Sequence, residues 1–319
     1  METILLILGG LGLFLYAIAH LSDTLKDLLG EKAKSLLAKF TRNIFTAILT
    51  GIVITLILDS SSAVIIMAIV LVNAKALTFR QAIGIVLGAN IGTTFSSQII
   101  ALDIGKYSPI PIFIGMLMIF FTKTEWITRT GRAIIYFGIL FFGLYTMERA
   151  VEPLREHPQF MDWMLTLENP YAGAGTGALA TLIIQSSSAT VGMVITLAKK
   201  GLLSLSAGIA VMLGAELGTC ADTLLATVRS NRQALKTGLF HLFFNITTIF
   251  LGLLLFPFFV LLIIRISGTA HLEQQIANAH MIFNALGVLL FLPFIVMVEK
   301  ILNRLFPDKV AKELNPVPR

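Results

Sequence analysis

Two groups of three consecutive serines are the side chains of this sequence best suited to bind an anion. They are Ser60, Ser61 and Ser62, which follow Asp59, and Ser186, Ser187 and Ser188, which follow Gln185. Each group interrupts a long apolar run, so we expect it to open a helix whose first N–H groups have no intrahelical partner. Hydroxyls and free N–H groups at the positive end of a helix dipole form an anion site.

Serine also serves as ordinary glue between membrane helices, and for a single group we would prefer that interpretation. The two groups, however, occupy matched positions of an internal repeat. Residues 55–94 recur as 181–220 without a gap, and 17 of the 40 pairs are identical at a constant offset of 126. Such a repeat marks a duplication. Two serine turns that enter from opposite faces would surround one small tetrahedral oxyanion near the membrane midplane.

The composition excludes a water-soluble globular protein. Apolar residues make up 56% of the chain, charged residues only 13%, and the mean hydropathy is +0.87, whereas soluble domains carry about 25% charged residues. The net charge of +6 does not indicate nucleic acid, because the cations lie in loops between apolar runs and form no basic run with aromatic residues. The single cysteine, Cys220, excludes a disulfide framework. We therefore expect an all-α, multi-span membrane protein.

Four interrupted apolar segments, two in each copy, must position the serines. They are 44–73 and 81–102 in the first copy and 172–198 and 207–228 in the second. The segments that contain the serines split into halves of about 11 to 15 residues, which are too short to cross a ~30 Å hydrocarbon core. We therefore expect two re-entrant helical hairpins. The other two contain the glycine-flanked elements Gly88–Thr93 and Gly214–Thr219, which predict transmembrane helices broken near the middle.

Each copy makes three crossings, because its hairpin returns to its own side, and an odd number inverts the second copy relative to the first. We predict inverted repeats at 1–129 and 130–264, then a final crossing and a tail at 265–319. The remaining crossings are placed at 5–21, 110–121, 134–147, 235–263 and 280–298, which gives seven in all. Residues 22–43 should lie flat on the membrane as an amphipathic helix. With the N-terminus outside and the C-terminus cytoplasmic, the cytoplasmic segments hold 18 of the 24 Lys and Arg residues.

The sequence resembles a known family, the type II sodium-phosphate cotransporters and their short bacterial members without the C-terminal regulatory domain. Gln185 and the three serines after it match the family's Gln-Ser-Ser-Ser motif, and the element beginning at Gly88 is similar to the family's Gly-Ala-Asn-Ile-Gly-Thr. His-x-x-Phe-Asn pentapeptides occur at His241–Asn245 and His280–Asn284. The resemblance covers nearly the whole chain. It implies inverted repeats, phosphate bound at the six serines, and sodium ions as the coupling ions, with no other metal and no cofactor.

The resemblance also implies roles for the neighbouring polar groups. The sodium-binding residues would be Asp59, Asn90, Thr93, Gln185, Glu216 and Thr219. The residues expected to support these sites are Gly88, Gly92, Gly214, Gly218, Asn245 and Asn284. For His241 and His280 we prefer a packing role, and we expect Asp222 to be solvated.

Two residues depart from the family pattern. Asp59 stands where the family usually has Gln, and Glu216 stands where it usually has Asn. An ionised carboxylate within the membrane needs a counter-charge, and no Lys or Arg occurs in the segments around either acid. Bound cations or protons would supply that charge. The alternative is that both acids are hydrated in a polar vestibule.

The expected function is secondary active transport of inorganic phosphate with sodium across the cell (inner) membrane, by alternating access of the two repeats. The same fold is compatible with a related oxyanion, with proton coupling or with phosphate efflux. A membrane enzyme acting on a phosphate ester would need a base and a nucleophile beside the serines. The only nearby acids lie within the proposed ion sites and no catalytic motif occurs, so we expect no enzymatic activity. The expected partners are phosphate, sodium and the lipid bilayer, without nucleic acid. A homodimer is one option for the oligomeric state.

Overall fold

The computed structural model describes residues 2–102, 104–228 and 230–307, and within these ranges it contains helices and turns but no β-strand. The α-helices are α1 (Glu2–Phe40), α2 (Ile44–Leu58), α3 (Ser61–Asn73), α4 (Phe79–Ile100), α5 (Pro109–Phe120), α6 (Glu125–Val151), α7 (Pro158–Thr166), α8 (Pro170–Ile184), α9 (Ser187–Lys199), α10 (Leu205–Gly218), α11 (Cys220–Leu225), α12 (Arg232–Leu254), α13 (Phe256–Ser267), α14 (Leu272–Phe291) and α15 (Ile295–Leu305). The prediction of an all-α, multi-span membrane protein is confirmed.

Six helical stretches of the described residues are long and apolar enough to cross a membrane. They are Glu2–Phe40, Phe79–Ile100, Glu125–Glu156, Leu205–Leu225, Arg232–Leu254 and Leu272–Leu305. The seventh predicted crossing, 110–121, corresponds to α5, whose 12 residues span only about 18 Å. The predicted crossing at 235–263 is also interrupted, because α12 ends at Leu254 and Pro257 follows at the start of α13. Of the seven predicted crossings, the one at α5 is therefore shorter than a full span, and the one at 235–263 is divided between two helices.

The first helix is longer than the sequence indicated. We expected a crossing at 5–21 and a separate surface helix at 22–43, but α1 is continuous over 39 residues, or about 58 Å. It contains no proline that would end it at the membrane boundary. Ala33 and Leu37, in its second half, are buried in the same apolar cluster as α2 and α3. The apolar face of this half therefore packs on protein, and the prediction of a flat surface helix was wrong.

Each serine group lies at a sharp turn between two helices that contact each other. Asp59 ends α2 in the left-handed region (φ 50°, ψ 35°), and Gln185 ends α8 in the same conformation (φ 59°, ψ 30°). Ser60 and Ser186 then take extended conformations and cap α3 and α9. The arms of both hairpins are 13 to 15 residues long. The two copies therefore share one backbone conformation at the serines.

The helix with the first glycine-flanked element differs from the prediction. α4 is continuous from Phe79 to Ile100, so the break expected within 81–102 is absent. In the second copy, the interruption of 207–228 is limited to Thr219, between α10 and α11. The break predicted in the first copy was wrong, and the break in the second copy is one residue long.

The glycines have a different role from breaking the helices. A Cβ at Gly88 would lie 2.0 Å from the carbonyl oxygen of Ile48 on α2, and a Cβ at Gly214 would lie 1.8 Å from that of Ala174 on α8. Real Cβ atoms do not approach a carbonyl oxygen so closely, so only glycine allows α4 to pack on α2 and α10 on α8 at these separations. Small residues commonly allow such close packing of membrane helices.

The first helices of the two copies run in opposite directions. Gly10, near the start of α1, lies against Gly143 and Met147 near the end of α6. Towards the other end of α1, the Asp27 carbonyl oxygen accepts a hydrogen bond from Arg129 Nη1 (3.4 Å), near the start of α6. The two helices are therefore antiparallel.

The helices with the glycine-flanked elements are related in the same way. Ser97 near the end of α4 contacts His280 in α14, while Arg80 at the start of α4 lies near Glu299, beyond the end of α14. α4 is therefore antiparallel to the stretch formed by α14 and α15. Gly208 and Glu216 of α10 lie against Ile276 and His280, so α10 is parallel to α14. It follows that α4 and α10 run in opposite directions.

Candidate functional site

The first serine of each group has a structural role at its turn. The Oγ of Ser60 accepts a hydrogen bond from the N–H of Ala63, and the Oγ of Ser186 accepts one from the N–H of Ala189, both at 3.2 Å. Such caps stabilise a helix start by about 1 kcal/mol. Each of these hydroxyls still has its hydrogen available for donation.

The serines after the cap in each group have hydroxyls that are available as hydrogen-bond donors. Ser61, Ser187 and Ser188 are 6%, 3% and 6% exposed, and none makes a side-chain hydrogen bond with another described residue. Ser62 is half-buried. These residues form the first two positions of α3 and α9, where backbone N–H groups have no intrahelical partner. Both turns therefore present unpaired hydroxyls and N–H groups at the positive end of a helix, which an anion can accept.

Both hairpins contact α1. The Ser22 hydroxyl is 3.4 Å from the carbonyl oxygen of Leu58, directly before the first turn. Phe14 lies against Gly192, six residues after Ser186 at the second turn. Residues 14 to 22 of a helix span about 12 Å. The first hairpin and the second arm of the other hairpin therefore contact α1 within this stretch.

Glu216 is buried and bonded to a histidine. Its Oε1 lies 2.7 Å from His280 Nε2, and His280 Nδ1 lies 2.7 Å from the Ser97 hydroxyl. The exposed fractions of Glu216, His280 and Ser97 are 4%, 0% and 1%. We expected a bound cation or proton to compensate Glu216 and assigned His280 to packing. The imidazole is instead the group within hydrogen-bond distance of the carboxylate.

Asp59 is hydrogen-bonded to Ser96, the residue before Ser97 in α4. The Ser96 hydroxyl donates a short hydrogen bond to Asp59 Oδ1. Ser96 precedes Ser97 in α4, so the same end of α4 contacts Asp59 directly and contacts Glu216 through His280. The sequence related the two acids only by residue type, and in the structure both have polar partners that involve this end of α4.

A second histidine occupies an equivalent position with neutral partners. His241 Nδ1 lies 2.9 Å from the Thr223 hydroxyl, and Asn245 Nδ2 lies 3.1 Å from His241 Nε2. Thr223 and Ser97 are matched residues of the repeat, since 126 positions separate them. Asn245 Nδ2 also contacts the Glu216 carbonyl oxygen (2.9 Å). Both histidines therefore bond to matched hydroxyls, but only His280 faces a carboxylate.

The other predicted polar ligands and supporting residues make local contacts or are exposed. Asn90 Nδ2, Thr93 Oγ1 and Thr219 Oγ1 bond to carbonyl oxygens one turn back in their own helices, at 2.9 to 3.2 Å. Gln185 is exposed, and Asn284 donates to the carbonyl oxygen of His280 (3.2 Å). These contacts orient the side chains, and their role as sodium ligands stays a prediction.

The sequence analysis missed Ser96, Ser97 and the partner of Glu216. Positions 96 and 97 lie just beyond the 40-residue repeat that was compared. The available signal was the repeated His-x-x-Phe-Asn pentapeptide, because two histidines at the same place in two buried motifs indicate matched polar partners.

Internal repeats that surround a buried polar site with interrupted helices are typical of membrane transporters, and the fold and the serine turns place this chain in that class. The model of the Na+/Pi-cotransporter family matches residues 13–149 and 158–291, and the chain belongs to this family.

Several relatives are known by sequence. The chain is 28% identical over 316 residues to the uncharacterized protein YqeW of Bacillus subtilis, covering 96% of this chain and 100% of that protein. It is 25% identical over 312 residues to the putative inorganic phosphate export protein YjbB of Escherichia coli, covering 97% of this chain and 57% of that protein. Human sodium-dependent phosphate transport protein 2B is 31% identical over 126 residues, covering 36% of this chain and 18% of that protein. No solved structure matches the chain.

Proposed function

We propose that this protein transports inorganic phosphate across the cell membrane, coupled to sodium, and that it is not an enzyme. The observation that carries the proposal is the pair of serine turns with buried, unpaired hydroxyls at matched positions. A tetrahedral oxyanion needs several donors from different directions, and two helix starts provide them without a lysine or arginine. Membership of the Na+/Pi-cotransporter family supports the choice of phosphate.

The two acids support coupling to a cation. A phosphate dianion at two helix starts is only partly compensated, since each dipole supplies about half a charge. Asp59, at the first turn, and the buried Glu216 add negative charge, while His280 supplies at most one positive charge. The remaining balance must come from ions that accompany the substrate. Both the family and the human relative are named for sodium, which supports sodium as that ion.

The helix directions support alternating access between two inverted units. α1 is antiparallel to α6 and α4 to α10, which is the relation that an inverted repeat requires. We propose an N-terminus outside the cell and a cytoplasmic C-terminus on the basis of the charge distribution. The serine turns then belong to hairpins that enter from opposite faces, and motion of one unit against the other would expose the site to each side in turn.

Export is a second candidate for the direction of transport. The relative YjbB of Escherichia coli is named as a putative phosphate export protein. Direction can be tested in proteoliposomes loaded with labelled phosphate, by comparing efflux and uptake under a sodium gradient of either sign with choline as the replacement. Phosphate movement down an imposed sodium gradient supports coupling. Equal rates of phosphate transport with sodium and with choline would show that transport is not coupled to sodium.

A further inference from the structure

A cavity of about 790 Å³ opens at one end of the helix bundle, where the loop after α3, the start of α12 and the helix α15 meet. It lies about 20 Å from the first serine turn, which is the length of α3. Lys75, Arg80 and Arg232 line it, and Glu299 is the one carboxylate among the described lining residues. Three cations against one carboxylate leave an excess of two positive charges.

The carboxylate does not neutralise these cations. Glu299 Oε2 lies 3.9 Å from Arg80 Nε, which is too long for a hydrogen bond. Lys75 and Arg232 make no side-chain hydrogen bond or ion pair with any described residue. One further cation, Lys236, is 1% exposed and donates to Asn303 in the cavity wall (2.6 Å). The cavity therefore presents positive charge from three segments of the chain.

The equivalent end of α9, in the second copy, is arranged differently. Lys199 Nζ lies 2.6 Å from Glu148 Oε2, and Lys200 Nζ lies 3.1 Å from Glu148 Oε1. The cations at that end are thus compensated by protein carboxylates. The contrast between two matched ends indicates that the excess charge around the cavity is a specific property of the first copy.

The backbone at Lys75 supports this view. Lys75 has a left-handed conformation (φ 59°), and its matched residue in the second copy is Gly201 (φ 67°). Glycine takes this conformation without steric cost, whereas lysine does not. The first copy therefore places a cation at a position where glycine would be more stable.

The walls of the cavity are held together before any ligand binds. The N–H of Asn231 donates to Asn73 Oδ1 (2.8 Å), and Asn231 Nδ2 donates to the Asn73 carbonyl oxygen (3.0 Å). These bonds join the loop after α3 to the start of α12. The helices α4 and α12 both begin at the cavity, which adds their positive dipole ends to the three cations.

We propose that this cavity binds a phosphate group, separately from the serine turns. Two arginines can bind phosphate oxygens in bidentate fashion, and a lysine adds a mobile point charge. The group belongs either to inorganic phosphate or to the headgroup of an anionic lipid. Both ligands carry the anionic phosphate group that three cations and two helix starts bind.

The test begins with labelled inorganic phosphate and the purified protein, in a Ser61→Ala/Ser187→Ala background that weakens the serine turns. The triple variant Lys75→Gly/Arg80→Gln/Arg232→Gln should lower the remaining affinity for phosphate at least tenfold. Lys75→Gly alone should lower it by a smaller factor while the midpoint of thermal unfolding stays the same or rises, because glycine suits the left-handed conformation. Lys300→Gln, next to Glu299 but outside the cavity, is the control and should change neither value.

The second arm uses nanodiscs of phosphatidylcholine, with or without phosphatidylglycerol. If an anionic headgroup is the ligand, phosphatidylglycerol raises the unfolding midpoint of the wild type and of Lys300→Gln but not of the triple variant, and it displaces labelled phosphate. If free phosphate is the ligand, only the first arm responds to the triple variant. The proposal is overturned if the triple variant and Lys75→Gly behave as the wild type does in both arms.

Discussion

Glu216 Oε1 and His280 Nε2 lie 2.7 Å apart, although 64 positions separate the two residues in the sequence and they belong to different helices. A carboxylate oxygen only accepts hydrogen bonds, so the proton between them belongs to the imidazole or has passed to the carboxylate. The same imidazole bonds to Ser97 on the first copy. His280 therefore links the acid of the second copy to the helix of the first, at the level of the proposed ion sites.

Breaking this pair should destabilise the protein more than breaking its neutral counterpart. His280→Gln leaves a buried carboxylate without its imidazole, and we expect a loss of about 3–5 kcal/mol. His241→Gln removes bonds to Thr223 and Asn245, which are neutral, and should cost about 1–3 kcal/mol. Unfolding of the purified variants in detergent measures both values.

The double variant Glu216→Gln/His280→Gln separates the pair energy from simple packing. It should be more stable than His280→Gln alone, because no charge is then left buried without a partner. If Glu216→Gln gives no recovery and the two histidine variants lose the same stability, the carboxylate is hydrated and the pair has no special role.

The glycines of the close helix pairs should tolerate no side chain. Gly88→Ala and Gly214→Ala would place a Cβ within about 2 Å of a carbonyl oxygen, so the helices must separate. We expect a loss of about 1–3 kcal/mol for each. Gly175→Ala is the matched control on α8, because its Cβ would meet nothing within 4 Å and alanine favours a helix. Equal unfolding midpoints for all three variants would contradict this packing.

The two acids should set the charge that moves with each phosphate. Asp59→Gln together with Glu216→Asn restores the pattern of the family and removes two negative charges. We expect phosphate transport to continue, with less positive charge moved per phosphate and a weaker dependence on pH. Currents on a solid-supported membrane, divided by labelled phosphate moved at several pH values, measure both. If the charge moved per phosphate and the pH dependence of transport are both unchanged, neither acid takes part in the coupling.

The turns at the serines could be predicted from the sequence because polar residues at matched places in two apolar runs leave few other structures. The continuity of α4 could not be predicted in this way. A glycine at position 88 looks the same in the sequence whether it breaks a helix or allows two helices to pack closely. Only the position of Ile48 in the structure distinguishes these two roles. The composition of 22–43 likewise did not reveal that α2 and α3 would cover its apolar face.

The polar contacts of Asp59 and Glu216 could be predicted only in part from the sequence. Asp59 and Glu216 were recognised together because each stands where the family usually has an amide. His280 lies outside the repeat and reaches Glu216 only because α14 packs between α4 and α10. A contact that depends on the packing of three helices leaves no local pattern, so the sequence analysis treated His280 as a packing residue.

The proposed inverted arrangement predicts which face of the membrane each loop reaches. Cysteines at Lys34 and Glu156, in a Cys220→Thr background, should react with an impermeant reagent from opposite faces of the membrane. Threonine is a suitable replacement because the matched residue of the first copy is Thr94. A cysteine at Lys32, close to Lys34 on α1, should report the same face as Lys34 and controls for accessibility. Reaction of all three from one face would exclude two inverted units.

The serine turns are tested most directly by the binding of labelled phosphate to the purified Ser61→Ala and Ser187→Ala variants, with Ser35→Ala, an exposed serine of α1, as the control. Each of the two hydroxyls donates to a charged ligand in the proposed site, and its loss costs about 1.5–3 kcal/mol, or roughly 10- to 150-fold in affinity. We predict that both variants fold and show this loss while Ser35→Ala binds as the wild type does. Wild-type phosphate affinity in both folded variants would contradict a phosphate site at the serine turns.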